Sequence, residues 1–90
     1  MYKVRLECRG NIDFGENPNR SLPGVRARTV RVATLREASE VCRAWITEHG
    51  LGGGHWTGGQ VTDERGAQVA YISYNGRAWE PTVAHREIAL

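Results

Sequence analysis

Thr34-Leu35-Arg36-Glu37-Ala38-Ser39-Glu40-Val41-Cys42-Arg43-Ala44-Trp45-Ile46-Thr47-Glu48-His49-Gly50-Leu51 is the stretch whose reading decides the fold. Leu35, Ala38, Val41, Cys42, Trp45 and Ile46 recur at the three- and four-residue spacing that gathers apolar groups on one face of a helix. Thr34 with Glu37 three residues on is a capping box, in which the threonine hydroxyl takes an orphan amide and the glutamate reaches back. Gly50 suits the left-handed position after a helix, and Leu51 supplies the apolar contact of a Schellman stop. The spacing predicts one helix over about 34–49.

Working back from the helix, Val25 to Val32 reads as a strand, with Val30 and Val32 inward and Thr29 and Arg31 outward. Tyr2 to Cys8 alternates strictly: Tyr2, Val4, Leu6 and Cys8 point one way, and Lys3, Arg5 and Glu7 the other. That is a half-buried strand with one wet face. Between the two strands, Arg9 to Gly24 is turn chemistry, with Gly10-Asn11, Asn17-Pro18-Asn19 and Leu22-Pro23-Gly24. A loop of about 15 residues is long for a compact domain. Ile12 and Phe14 are expected to tuck against the core and hold part of it down.

Beyond the helix comes Gly50 to Gly59, in which six of ten residues are glycine and Trp56 sits among them. Gln60 to Asp63 is a short strand, and a three-residue loop of Glu64, Arg65 and Gly66 sets Val61 opposite Val69. Gln68 to Tyr74 follows. Asn75-Gly76 signals a two-residue type I′ turn that pairs Tyr74 with Arg77 and Ile72 with Trp79. On this register Ile72 and Trp79 face the helix and Tyr71 is partly exposed. Pro81 ends the last strand, and 82–90 lacks a usable pattern and reads as a frayed or short helical end. The expected fold is α+β: a ββαβββ domain over 1–81, with an antiparallel-dominated sheet and the helix on one face.

Ninety residues make one domain. A net charge of +2 argues against a nucleic-acid mimic and against a dedicated polyanion binder, yet eleven of the twelve cations are arginine. No apolar run approaches the ~18 residues of a membrane span. The N-terminus enters an alternating pattern with no signal-peptide core, so a cytoplasmic protein is expected. Cys8 and Cys42 both fall in apolar phase and read as buried thiols.

Chemistry finds little support. A phosphate loop leads into a helix N-terminus, whereas these glycines follow a C-terminus, where the dipole has the wrong sign. His49, His55 and Cys42 lack the paired spacing of a zinc site. His49 suits a helix C-terminus, and His85 lies in the patternless tail. Buried thiols are poor nucleophiles. Neither an enzyme nor a bound cofactor or metal is expected. Two contact surfaces are more suggestive. No acidic residue falls between Glu16 and Glu37, but Arg20, Arg26, Arg28, Arg31 and Arg36 do. Arginine forks suit phosphates and carboxylates equally, and a charged edge strand guarded against aggregation would look the same. Trp56, Tyr71, Tyr74 and Trp79 lie near Arg77, a composition found at interface hot spots and base-stacking platforms, although Trp45 and Trp79 are the tryptophans best suited to the core.

Gly54-His55-Trp56-Thr57-Gly58-Gly59-Gln60-Val61 and Ser73-Tyr74-Asn75-Gly76-Arg77-Ala78-Trp79 resemble stretches of small proteins of proteobacterial phages and mobile elements that carry no assigned activity. The layout also looks like that of small type I anti-CRISPR proteins. The shared features are a strand entering an Ala33-Thr34-Leu35 helix start and a hairpin ending in Asn75-Gly76 and Trp79. The glycine joint and the 9–24 loop depart from that pattern. The resemblance implies a non-catalytic inhibitor that binds a host CRISPR surveillance complex. Its expected contacts are Arg26, Arg28, Arg31, Trp56, Tyr71, Tyr74 and Arg77. The alternative is a small nucleic-acid-binding domain using the arginine-rich strand.

Overall fold

Among the described residues six strands follow in chain order: β1 (Tyr2–Leu6), β2 (Arg28–Val32), β3 (Gln60–Thr62), β4 (Gln68–Ile72), β5 (Ala78–Trp79) and β6 (Glu87–Ile88). The helix α1 (Leu35–Glu48) lies between β2 and β3. They are seen in a computed structural model that describes residues 1–83 and 86–90. His85 lies outside the described residues. The sheet order is β2-β1-β3-β4-β5-β6, and every neighbouring pair is antiparallel. β2 and β3 flank β1, so α1 carries the chain across one face of the sheet. The fold is the expected α+β arrangement, with a sixth strand added.

The helix begins and ends where its chemistry dictates. Thr34 Oγ1 accepts from the Glu37 amide at 3.1 Å. At the other end, the Leu51 amide donates to Ile46 O at 3.0 Å and the Gly50 amide to Thr47 O at 3.2 Å, with Gly50 at φ 62°. That is a Schellman stop. Ala38, Cys42, Trp45 and Ile46 are buried against β1, β2 and β4. They share one core with Val4, Leu6, Val32, Val61, Ala70, Ile72 and Ala78. Burying side chains such as Leu6, Ile46 or Ile72 stabilises the fold by roughly 1.5–3 kcal/mol each.

Two hairpin registers depart from the sequence expectation. The Glu64–Gly66 loop forms as expected, with the Asp63 amide donating to Ala67 O at 2.9 Å. A bulge between Val61 and Thr62 then sets Val61 opposite Ala70 rather than Val69. At Asn75-Gly76 the loop has three residues, closed on Ser73 and Arg77, whose backbones bond at 2.9 Å. The helix selects this loop: Ser39 Oγ donates to Gly76 O at 2.6 Å, and the Arg43 guanidinium donates to Tyr74 O. Tyr71 therefore pairs with Trp79, and Ile72 with Ala78. A one-residue slip exchanges faces. Ala78, not Trp79, enters the core, and Trp79 joins Tyr71 on the far face.

The tail differs as well. Glu87–Ile88 pairs with β5, setting Ala78 opposite Ile88 and Trp79 opposite Glu87. The glycine joint is no loose hinge. Thr57 N–H donates to Glu7 O and Gly59 N–H to Arg5 O, while Cys8 and Trp56 form an antiparallel bridge. Residues 55–59 thus prolong β3 along β1. A Cβ on Gly58 would stand 2.6 Å from Arg5 O and from Glu7 N. Gly59 sits at φ 98° against the Ile72 carbonyl, where no side chain fits.

Candidate functional site

The long loop presents its apolar groups outward. Ile12 and Phe14, expected in the core, form a 3₁₀ turn and are 72% and 69% exposed. Their geometry is nonetheless defined. Asn11 caps the turn, its side chain accepting from the Asp13 amide at 3.0 Å. Gly10 N–H donates to Arg20 O at 2.9 Å, and the Arg9 guanidinium to Asn19 O at 3.0 Å.

The strongest tie is to the glycine joint. His55, the one buried polar side chain of the described core, is 7% exposed. Its Nδ1 accepts from the Gly52 amide at 2.9 Å. An amide can only donate, so Nδ1 carries no proton and Nε2 holds the hydrogen. Nε2 donates to Glu16 Oε1 at 2.8 Å. The same oxygen accepts from the Asn11 amide at 2.9 Å. That amide, then the His55 ring, hold the Glu16 carboxyl below the usual carboxylate range. The Phe14 ring lies 5.7 Å from the His55 ring.

Tyr74 stands on the hairpin side of the Gly53-Gly54 backbone and Ile12 and Phe14 on its loop side, and together they make an interrupted apolar ridge. The Tyr74 hydroxyl donates to Leu51 O at 3.1 Å, and the Arg43 guanidinium lies 5.0 Å from the Tyr74 ring centre. A Cβ on Gly53 would lie 3.7 Å from the Tyr74 ring, and one on Gly54 would meet the Asn11 side chain. The exposed Gly53-Gly54 backbone therefore touches Tyr74 on one side and the cap of the Ile12–Phe14 turn on the other.

The face of the sheet away from α1 forms a second surface. Cross-strand partners share a face, so Lys3 and Arg31, Arg5 and Thr29, Gln60 and Tyr71, and Tyr71 and Trp79 all lie there. Among the described elements none packs over it.

The seven residues expected as contacts scatter. Arg31 and Tyr71 share the open face, with β1 and β3 between their strands. Tyr74 belongs to the apolar ridge. Arg77 is exposed, 4.0 Å from Glu87. Arg28 is opposite Leu6, on the helix side, and lines a groove with Val41, Trp45 and Glu48. Arg26 is exposed ahead of β2, so the arginines form no single stripe. Trp56 is a correction: it is 7% exposed, its indole N–H donates to Ile72 O at 3.0 Å, and its ring lies 5.9 Å from that of Trp45. The bridge to Cys8 turns it into the core.

Sequence reasoning missed Ile12 and Phe14 as exposed groups and the Glu16–His55 pair altogether. Lys3 and Arg5 were already legible, because strict alternation along β1 puts them on the wet face. Cys8 and Cys42 are free and buried, and burial pushes the Cys42 thiol up to about 12. Among the described residues no three His, Cys, Asp or Glu side chains converge, and no helix is long and apolar enough to cross a membrane. Comparison with family models, curated proteins and solved structures found no match.

Proposed function

We propose that the chain is a small non-catalytic binding module that contacts a protein partner through the ridge of Ile12, Phe14 and Tyr74. The observation that carries this reading is a pair of large apolar side chains held outward by a braced loop. Large exposed apolar groups on a hydrogen-bonded loop mark interaction sites, and a partner recovers the burial that the fold forgoes. Gly53 supports it: its φ is not positive and a Cβ would meet only ordinary contact, so the local fold does not demand glycine there. Bare backbone lets a partner approach closely.

His55 is occupied on both ring nitrogens, and the Cys42 thiol is held protonated at neutral pH. Both favour binding over catalysis. The partner implied by the resemblance to anti-CRISPR proteins is a host CRISPR surveillance complex. Purified complexes of the common subtypes, mixed with the chain and resolved by size, test this: co-elution with one of them is expected. Failure with all of them overturns the choice of partner.

A further inference from the structure

The open face of the sheet uses none of the ridge residues and stands apart from the reading above. We propose that this face binds single-stranded nucleic acid, with Tyr71 and Trp79 stacking on bases and Lys3 and Arg31 meeting phosphates. Lys3 and Arg31 are directly opposite one another on β1 and β2, and both are exposed. Like charges directly opposed destabilise a sheet, and an anion between them removes that cost. Among the described residues neither has a carboxylate within 4.0 Å. Arg5, two residues from Lys3 on the same strand face, is already engaged, donating to Thr29 Oγ1 and to Glu7 Oε1 at 3.2 Å each.

Across β3 from these cations lies the aromatic pair. Tyr71 and Trp79 are half-buried neighbours, and the indole N–H of Trp79 donates to Ser73 Oγ at 3.0 Å, which fixes its orientation. Between cations and rings lie Gln60 and Thr62, which are uncharged and hydrogen-bonding. Neighbouring strands are about 4.8 Å apart, so a chain crossing the sheet has phosphate partners on β1 and β2 and ring partners about 10–14 Å on.

Carboxylates on and around this face already have partners. Glu7 is 3.2 Å from both Arg5 and Arg9, Glu64 is 3.4 Å from the terminal amine, and Glu87, directly opposite Trp79 on this face, is 4.0 Å from Arg77. Asp63 accepts the Arg65 and Ala67 amides. Aromatic groups on an open sheet face read bases only when these are unstacked, which selects single strands over duplexes.

Fluorescence anisotropy of a labelled oligothymidylate of about 15 nucleotides, titrated with the whole chain in about 50 mM salt, tests the proposal. Binding is expected, and Trp79→Ala and Tyr71→Ala each weaken it about tenfold. Trp79→Phe retains most of the affinity. Lys3→Gln and Arg31→Gln each flatten the dependence of log K on log salt by about 0.7. Phe14→Ser leaves binding unchanged, which separates this surface from the ridge. Should Trp79→Ala melt the sheet, Tyr71→Thr, at a strand position suited to threonine, carries the same test. Absence of binding, equal binding of a duplex, affinity indifferent to both aromatic changes, or tighter binding of polyglutamate overturns the proposal.

Discussion

His55 Nε2 donates to Glu16 Oε1 at 2.8 Å, joining the middle of the long β1–β2 loop to the glycine joint 39 residues away in sequence. With Nδ1 taken by the Gly52 amide, the ring braces the two irregular segments beside the backbone bond from the Arg9 amide to His55 O at 2.8 Å. Glu16→Ala is expected to free the Asn11 amide and speed its hydrogen exchange, while the Leu51 amide in the helix stop keeps its protection. Exchange that rises equally at both amides would show global destabilisation instead.

The same carboxylate makes the brace sensitive to acid. Glu16 is held below its ordinary value of 4.5 by the Asn11 amide first and by His55 second. A carboxyl with a lowered folded value stabilises the fold fully above its unfolded value and loses that contribution as pH falls through the folded one. Loop attachment is therefore intact at neutral pH and weakens below about 4.5. The protection factor of the Asn11 amide, its exchange rate relative to that of an unstructured peptide at the same pH, should fall from pH 6 toward about pH 3 more steeply in the natural chain than in Glu16→Gln.

Trp56 and Trp79 are expected to behave oppositely. Trp56 is core, so Trp56→Ala costs about 3–5 kcal/mol, enough to unfold a chain of this size at modest temperature. Trp79 is half-buried on the open face, and Trp79→Ala costs about 1–2 kcal/mol. Denaturant titration of the two variants distinguishes them, and a reversed order would contradict the Tyr71–Trp79 register.

The glycines of the joint divide in the same way. Gly59→Ala combines a left-handed φ with a clash on the Ile72 carbonyl and is expected to cost about 2–4 kcal/mol. Gly53→Ala meets only the Tyr74 ring at ordinary distance and should change stability by less than about 0.5 kcal/mol. Thermal melts of the two variants give the comparison.

What could be read ahead of the structure was what local chemistry determines. Thr34, Glu37, Gly50 and Leu51 bound the helix through bonds made within a few residues, and β1 shows its wet face in its own alternation. Register was not legible, because groups far away choose it. Ser39 and Arg43 on α1 grip the carbonyls of Gly76 and Tyr74, so a dipeptide that favours a two-residue turn closes a three-residue loop. Trp79 changes faces with it. β6 is two residues long, too short to show a period. Ile12 and Phe14 carry no local sign of exposure: an apolar residue in a loop is expected inward, and the bonds that set this loop, the Glu16–His55 brace among them, reach residues distant in sequence. Trp56 was misplaced because its phase comes from pairing with Cys8, 48 positions earlier.

The measurement that bears most directly on the ridge as a contact surface is the affinity of the chain for a surveillance complex that co-elutes with it, compared with that of Phe14→Ser by calorimetry. A hot-spot side chain of this size predicts a loss of about thirtyfold or more, with the melting temperature unchanged because Phe14 is exposed. Equal affinity of the two proteins would contradict the account.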